Sequence, residues 1–314
     1  MTSAERLKDE FQLFKSLHQR LKSRTDYVQL DEFGFALSQS AGIQDKIVVD
    51  MLVCGLTHGN EVIGLEIINL MLQDILSQNL SVKMAFLLNN IEAYHQSLRF
   101  LDYDLNRSFL SADRVSKREF NRAHRIEQII ERLEVRLIID LHQTVEPTKS
   151  AFAVVPEAPH LIRLSKKIAP EIPVVSFKNG SFSNKGRTLA EYAFEKQIPA
   201  LVYELGQKGF IRERAEQFKT ILININSDKI KFADQEDHPT DYYHIESLVP
   251  NQNDFKLLPG FQSYMQIKKD QVLAINTEGF SYKSPSDAMI IFPRYAGFDK
   301  SDRELAYIAV KKKL

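Results

Sequence analysis

One cysteine, Cys54, is the only thiol in this 314-residue chain. No intrachain disulfide can form, and a metal site built on cysteine sulfur is excluded. Net charge is missing too: 41 basic residues balance 41 acidic ones. No global field draws the chain to nucleic acid, so a charged partner has to be met by local side chains. Lys311, Lys312 and Lys313 make only a short basic tail. Nowhere do about 18 apolar residues run together, the length a membrane-spanning helix requires. The opening segment MTSAERLKDEFQLF carries acidic residues and no apolar stretch, unlike a secretory signal. These absences point to a cytoplasmic protein with neither nucleic acid nor a membrane as partner. What remains is an ordinary globular composition, 44% hydrophobic and 26% charged. The length suffices for one large domain or two of ordinary size, with a substantial core.

Periodicity organises the chain. Leu7, Phe11, Phe14, Leu17 and Leu21 recur at helical spacing and predict an amphipathic helix over 3–23. KIVVDMLVCG (46–55) is a continuous apolar run ending in glycine, as expected of a strand buried on both faces. Further strands are predicted at 82–90, 136–142, 150–156, 173–177 and 199–205, and helices at 62–76, 113–134, 159–169, 187–197 and 212–230. This alternation predicts an α/β fold, a mostly parallel or mixed sheet covered by helices. DQEDHPTDYY, from 234, reads as a linker. Beyond it, short segments rich in β-branched and aromatic residues predict a C-terminal all-β domain. The expected division is 1–235 and 236–314.

Polar residues interrupt the apolar pattern where strands end, the place where open α/β sheets bind ligands. His58 and Glu61 follow the 46–55 strand at a three-residue spacing that lets both aim at one point. Imidazole with carboxylate is half a zinc shell, although a helix-capping Glu beside an ordinary His would look the same. Gly55 and Gly59 read as hinges that bend the backbone around that point. His142 ends the RLIIDLH strand and brings the set to three donors, which leaves a coordination position open for water. Asp140 would orient a ligand or, the more ordinary reading, cap the strand. Glu204 ends the very apolar PALVY run. Burial there favours a protonated carboxyl and suits general-base and general-acid work. Arg99 and Arg107 flank an acidic, aromatic stretch. Guanidinium groups recognise carboxylates and oxyanions, but surface ion-pair loops are the commoner fate of such runs.

Taken in order, GLTHGNE (55–61), RFLDYDLNR (99–107), IIDLH (138–142) and VYELG (202–206) resemble the aspartoacylase and succinylglutamate desuccinylase family of zinc carboxypeptidase-like metallohydrolases. The resemblance implies a zinc-peptidase α/β domain with an added β domain, and one zinc ion per chain on His58, Glu61 and His142. It implies that Glu204 activates the attacking water and that Arg99 polarises the scissile carbonyl. Asn106 and Arg107 would grip a substrate carboxylate. A residue of the β domain would close the site, with Tyr282 as candidate. The implied reaction is hydrolysis of the amide bond of a small anionic N-acyl amino acid. Two departures stand out: NNIEA (89–93) lacks the proline often found there, and the N-terminal helix is foreign to the pattern. GSFSNKGR (180–187) resembles desuccinylase members, whereas DYDLNR resembles aspartoacylase members. Two other functions stay open. One is a zinc carboxypeptidase or amidase acting on a short peptide through a more open cleft. The other is a non-catalytic relative that keeps the pocket for ligand capture.

Overall fold

The apolar stripe predicted near the N-terminus forms α1 (Ser3–Leu21) and buries Phe11, Phe14, Leu17 and Leu21. The computed structural model describes residues 3–38, 46–111, 117–178, 180, 186–225, 240–251, 254–295 and 304–314. After α1 come β1 (Tyr27–Asp31), β2 (Gly34–Leu37), β3 (Ile47–Gly55), α2 (Ile63–Ser77), β4 (Met84–Leu88) and α3 (Ile91–His95). A single 3-10 turn, Leu105–Arg107, precedes α4 (Arg118–Glu131) and β5 (Leu133–Thr144). The α/β alternation continues with β6 (Phe152–Pro156), α5 (Pro159–Ile168), β7 (Val174–Phe177), α6 (Leu189–Glu195), β8 (Ala200–Gln207) and α7 (Arg212–Ile223). Only strands follow: β9 (Asp241–Pro250), β10 (Lys256–Leu257), β11 (Met265–Ile267), β12 (Val272–Ile275), β13 (Ser281–Lys283), β14 (Ala288–Ile291) and β15 (Glu304–Lys313). Among the described residues no helix is long and apolar enough to cross a membrane.

Two compact units divide the chain. The first comprises Met1–His142, Gly180–Tyr203 and Gly209–Ala233. Its strand order is β1-β2-β4-β3-β5-β8. β3 pairs in parallel with both β4 and β5, so Val53 lies opposite Phe86 on one side and Ile139 on the other. These central strands are covered on both faces, which is why they read as unbroken apolar runs. The second unit comprises Gln143–Asn179, Glu204–Lys208 and Asp234–Leu314. In it β6, β7 and β9 run parallel, and β9, β15, β14 and β11 follow as antiparallel neighbours. A small sheet of β10, β12 and β13 joins a core of Val249, Leu273, Ile290 and Ile308. The units therefore do not follow a single boundary near 235. The C-terminal strands share their unit with β6, β7 and the last residues of β8.

Differences from the sequence reading have local causes. The β1–β2 hairpin was not predicted, because its strands are only five and four residues long and the first is mostly half-exposed. The helix predicted over 212–230 stops at Ile223. The start of the helix predicted at 113, the linker residues 234–239 and most of 180–187 lie outside the described residues.

α1 also buries His18, whose ring stacks on Phe35 at 4.6 Å, with Nε2 2.8 Å from the Tyr27 hydroxyl. Burial, helped by Lys22 and opposed by Asp31, pushes its pKa down from 6.5 to about 4. The unfolded chain takes up this proton near pH 6.5, while the folded chain resists it to about pH 4. The stability that neutral His18 contributes is thus fully present above that window and is lost as pH falls through it. We expect a loss of about 1–3 kcal/mol between pH 7 and 4. Urea unfolding at the two pH values should show it for wild type and a smaller loss for His18→Phe. Equal losses in the two proteins would contradict the assignment.

Candidate metal centre

β3 delivers His58 and Glu61 to its C-terminal end through a sharp bend. The left-handed residue at that bend is Leu56, with φ 57°, and neither Gly55 nor Gly59 has positive φ. The glycines are needed for space, a correction to their reading as hinges. A Cβ on Gly59 would lie 2.3 Å from the Tyr94 backbone nitrogen, and one on Gly55 would lie 3.0 Å from the carbonyl carbon of Gly64 in α2. α3 thus presses directly on the motif backbone, which only glycine permits.

β5 runs parallel beside β3, with Asp140 opposite Cys54 and His142 two residues on, inside a strand that continues to Thr144 and not at its end as the sequence suggests. One donor atom from each of His58, Glu61 and His142 lies within 4.8 Å of the others, and all three residues are buried. His142 Nδ1 is 2.9 Å from Glu61 Oε2. His58 Nδ1 is 2.8 Å from Glu61 Oε1, yet this buried nitrogen has no hydrogen bond of proper geometry. The far nitrogens are each taken by a carboxylate: His58 Nε2 by Asp104 at 3.0 Å, and His142 Nε2 by Asp140 at 2.8 Å. Such carboxylate–imidazole pairs fix ring orientation and leave the opposite nitrogen to ligate. An orphaned nitrogen and three converging N and O donors fit a divalent cation, and two His with one Glu suit zinc.

The electrostatics follow from this packing. Burial alone would push the Glu61 carboxyl up, but His58 and His142 hold it well below the usual carboxylate range. Asp104 is likewise opposed by burial and held low by His58, Arg99 and Arg107. Burial would lower His142, and Asp140 with Glu61 raises it well above its ordinary value. Binding of a cation to such donors competes with protons.

Asp140 is a ring-orienting partner and not simply a strand cap, which reverses the more ordinary reading of the sequence. Its other oxygen accepts from the Thr57 hydroxyl at 2.7 Å, and Thr57 in turn accepts from Asn89 Nδ2 at 2.8 Å. Asp104, Thr57 and Asn89 escaped sequence reasoning. Their polarity at strand and turn ends was visible, but their partners are 46, 83 and 32 residues away.

The 99–107 segment brings further polar groups to the first unit. Arg99 donates to Glu61 Oε1 at 2.7 Å and to Asp104 at 3.4 Å, so its guanidinium lies against one candidate donor and the carboxylate behind another. Asn106 is buried, and its Oδ1 accepts the Leu189 N–H at the start of α6, at 2.9 Å. Arg107 donates to the Asn106 carbonyl at 2.7 Å. Gly186 lets this turn seat closely, because a Cβ there would fall 2.2 Å from the Arg107 carbonyl oxygen. Phe109 and Arg187 exchange backbone hydrogen bonds of 3.1 and 2.8 Å. Arg187 thus holds this loop through its main chain.

Two predicted residues belong to the second unit. Glu204 sits buried in β8, next in sequence to Tyr203, the last residue of that stretch of the first unit. Tyr282 lies in β13, half-buried, and its hydroxyl donates to the Leu248 carbonyl at 2.9 Å. Burial raises its pKa. The closing role implied for it requires that hydrogen bond to be exchanged for one to a ligand.

A mixed α/β sheet with a buried His–Glu–His group near the ends of β3 and β5 is the arrangement that the zinc-peptidase-like fold of the desuccinylases and aspartoacylases implies, and the solved structures below share that fold. The family follows from sequence. The model of the succinylglutamate desuccinylase/aspartoacylase catalytic domain matches residues 48–227, more than half of the chain, and the chain belongs to that family. The succinylglutamate desuccinylase of Shewanella piezotolerans is 32% identical over 130 residues, which cover 37% of this chain and 38% of that protein. The chain spans only about two fifths of the curated relatives it matches at that level. The crystal structure of the Vibrio cholerae succinylglutamate desuccinylase superposes with a TM-score of 0.69 at 19% identity, over 90% of this chain and 86% of the other. Murine aminoacylase 3 superposes with a TM-score of 0.65 at 17% identity, over 86% and 97%. At these identities the likeness establishes the fold.

Proposed function

We propose that this protein is a zinc-dependent deacylase that hydrolyses the amide bond of a small anionic N-acyl amino acid. The observation that carries the reading is the convergence of His58, Glu61 and His142, each imidazole backed by a carboxylate, in a chain of this family. His58, Glu61 and His142 would hold one zinc ion per chain, which when bound would supply Lewis-acid chemistry. Glu204 accepts the proton of the attacking water and returns it to the leaving amine nitrogen as the carbon–nitrogen bond breaks. Arg99 turns an N–H from Glu61 to the oxygen of the attacked carbonyl and stabilises its developing charge. Asn106 and Arg107 bind the substrate carboxylate, and the planar guanidinium suits that anion. Tyr282 contributes from the β unit if its hydroxyl leaves Leu248. The products are a carboxylic acid and a free amino acid.

The support for Glu204 is the resemblance of its segment to the family and its burial within β8, which continues to Gln207 beyond the strand end expected from the sequence. The test is turnover of N-succinylglutamate, N-acetylaspartate and other N-acyl amino acids by zinc-loaded protein. Release of amino acid from at least one of them is expected. Hydrolysis only of C-terminally varied peptides would replace the proposal with a carboxypeptidase. Failure to bind zinc would leave a ligand-binding relative.

A further inference from the structure

Leu101, Asp102 and Tyr103 lie in no helix or strand, so their N–H groups have no ladder to join. All three turn to one side chain on α4. Glu119 Oε1 accepts from Leu101 at 2.7 Å, and Oε2 accepts from Asp102 and from Tyr103, each at 3.1 Å. Asn90 Nδ2 adds a long contact of 3.5 Å to Oε1. Glu119 is only 1% exposed. Phe120 packs its ring 5.1 Å from that of Tyr103. Farther along α4, Glu127 accepts the Leu110 N–H at 2.7 Å, so a second buried carboxylate holds the other end of the same loop. Between the two, Arg122 donates to the carbonyls of Leu88 and Asn89, where β4 ends.

Burying a carboxylate on a helix is a poor way to gain stability, since an apolar residue of similar volume does as well or better. It becomes useful when it fixes one arrangement out of several. The residue after the third bonded amide is Asp104, which contacts His58 Nε2 at 3.0 Å and accepts the Asn106 N–H at 2.8 Å. A shift at Tyr103 therefore moves the support of a metal donor together with the turn that bears Asn106 and Arg107.

We propose that Glu119 is a positioning residue for substrate: it anchors loop 101–107 so that Asn106 and Arg107 meet the substrate carboxylate in fixed register with the metal donors. What the turn grips rests on the function proposed above, whereas the anchor itself does not. Hydrogen exchange on the wild-type protein is the first test. The amides of Leu101, Asp102 and Tyr103 are expected to exchange slowly despite their irregular backbone, and fast exchange overturns the anchor. Glu119→Gln places an amide against these N–H groups. It should speed exchange at all three, leave zinc stoichiometry under saturating zinc unchanged, and lower kcat/KM by about 100-fold, the scale of an ångström-sized misplacement.

The decisive readout is the preference for an N-acyl amino acid over the same compound lacking its α-carboxylate. This ratio should collapse in the variant, whereas loss of folded enzyme lowers both rates and leaves the ratio alone. Glu127→Gln frees only the Leu110 end and serves if the first variant does not fold. It should speed exchange at Leu110 and reduce the ratio in part. Loosened amides with an unchanged ratio overturn the proposal. If the wild type cleaves no N-acyl amino acid, the function above fails, while the exchange data still decide the anchor.

Discussion

Glu204→Gln is expected to retain one zinc per chain and to lose about 10²- to 10⁴-fold in kcat, the range that a positioned general base contributes. Glutamine preserves the shape of the side chain and removes only its capacity to hold a proton. The partially apolar surroundings in β8 suit both residues, with Val202 and Leu205 buried beside the position. KM should change much less than kcat, because proton transfer is felt in the transition state and hardly in substrate binding. Metal analysis and steady-state kinetics on the same preparation check this. A near-normal rate removes Glu204 from the chemistry. Loss of zinc with activity would instead make it a ligand.

His142→Ala is expected to abolish stoichiometric zinc and, with it, turnover by several orders of magnitude. Two of three donors rarely hold zinc in a site that must also keep a position open for water. The substitution also leaves the Asp140 and Glu61 carboxylates facing a space that imidazole filled. Removing one partner of a buried charged set is costly, about 3–5 kcal/mol, so the melting temperature should fall as well. The control is His160→Ala, an exposed histidine at the start of α5, which should keep both metal and stability. Full zinc occupancy in His142→Ala would refute the three-donor centre.

Much of this site was readable because polar residues stood at the ends of apolar runs. His58 and Glu61 follow the apolar run of β3, His142 closes the apolar run in β5, and the two strands bring them together as parallel neighbours. What could not be read was pairing at a distance. Asp104 is one of two aspartates in DYDLNR, and nothing local distinguishes the one that meets His58 from Asp102, which reaches the Arg118 backbone. Glu119 looks like one more charge in KREFNRAHR. Only the fold shows it buried, with three amides turned toward it. Gly59 was legible as a special residue, though the reason for it, the backbone of α3 pressing from the side, belongs to tertiary contact. The unit division was illegible for the same reason: β6 and β7 read as members of one uninterrupted α/β series, and only the contacts assign them to the unit of the C-terminal strands.

The Asn106 amide carries a consequence for selectivity. Its oxygen is spent on the first turn of α6, at the Leu189 N–H. The amide is thereby held in one of its two orientations, with its oxygen toward α6 and its two-donor NH2 end turned away from it. If Asn106 meets substrate as proposed, the end it presents is the donor end, which suits a carboxylate better than an ammonium. The helix whose first N–H takes that oxygen thus sets which end of the amide the proposed site would use.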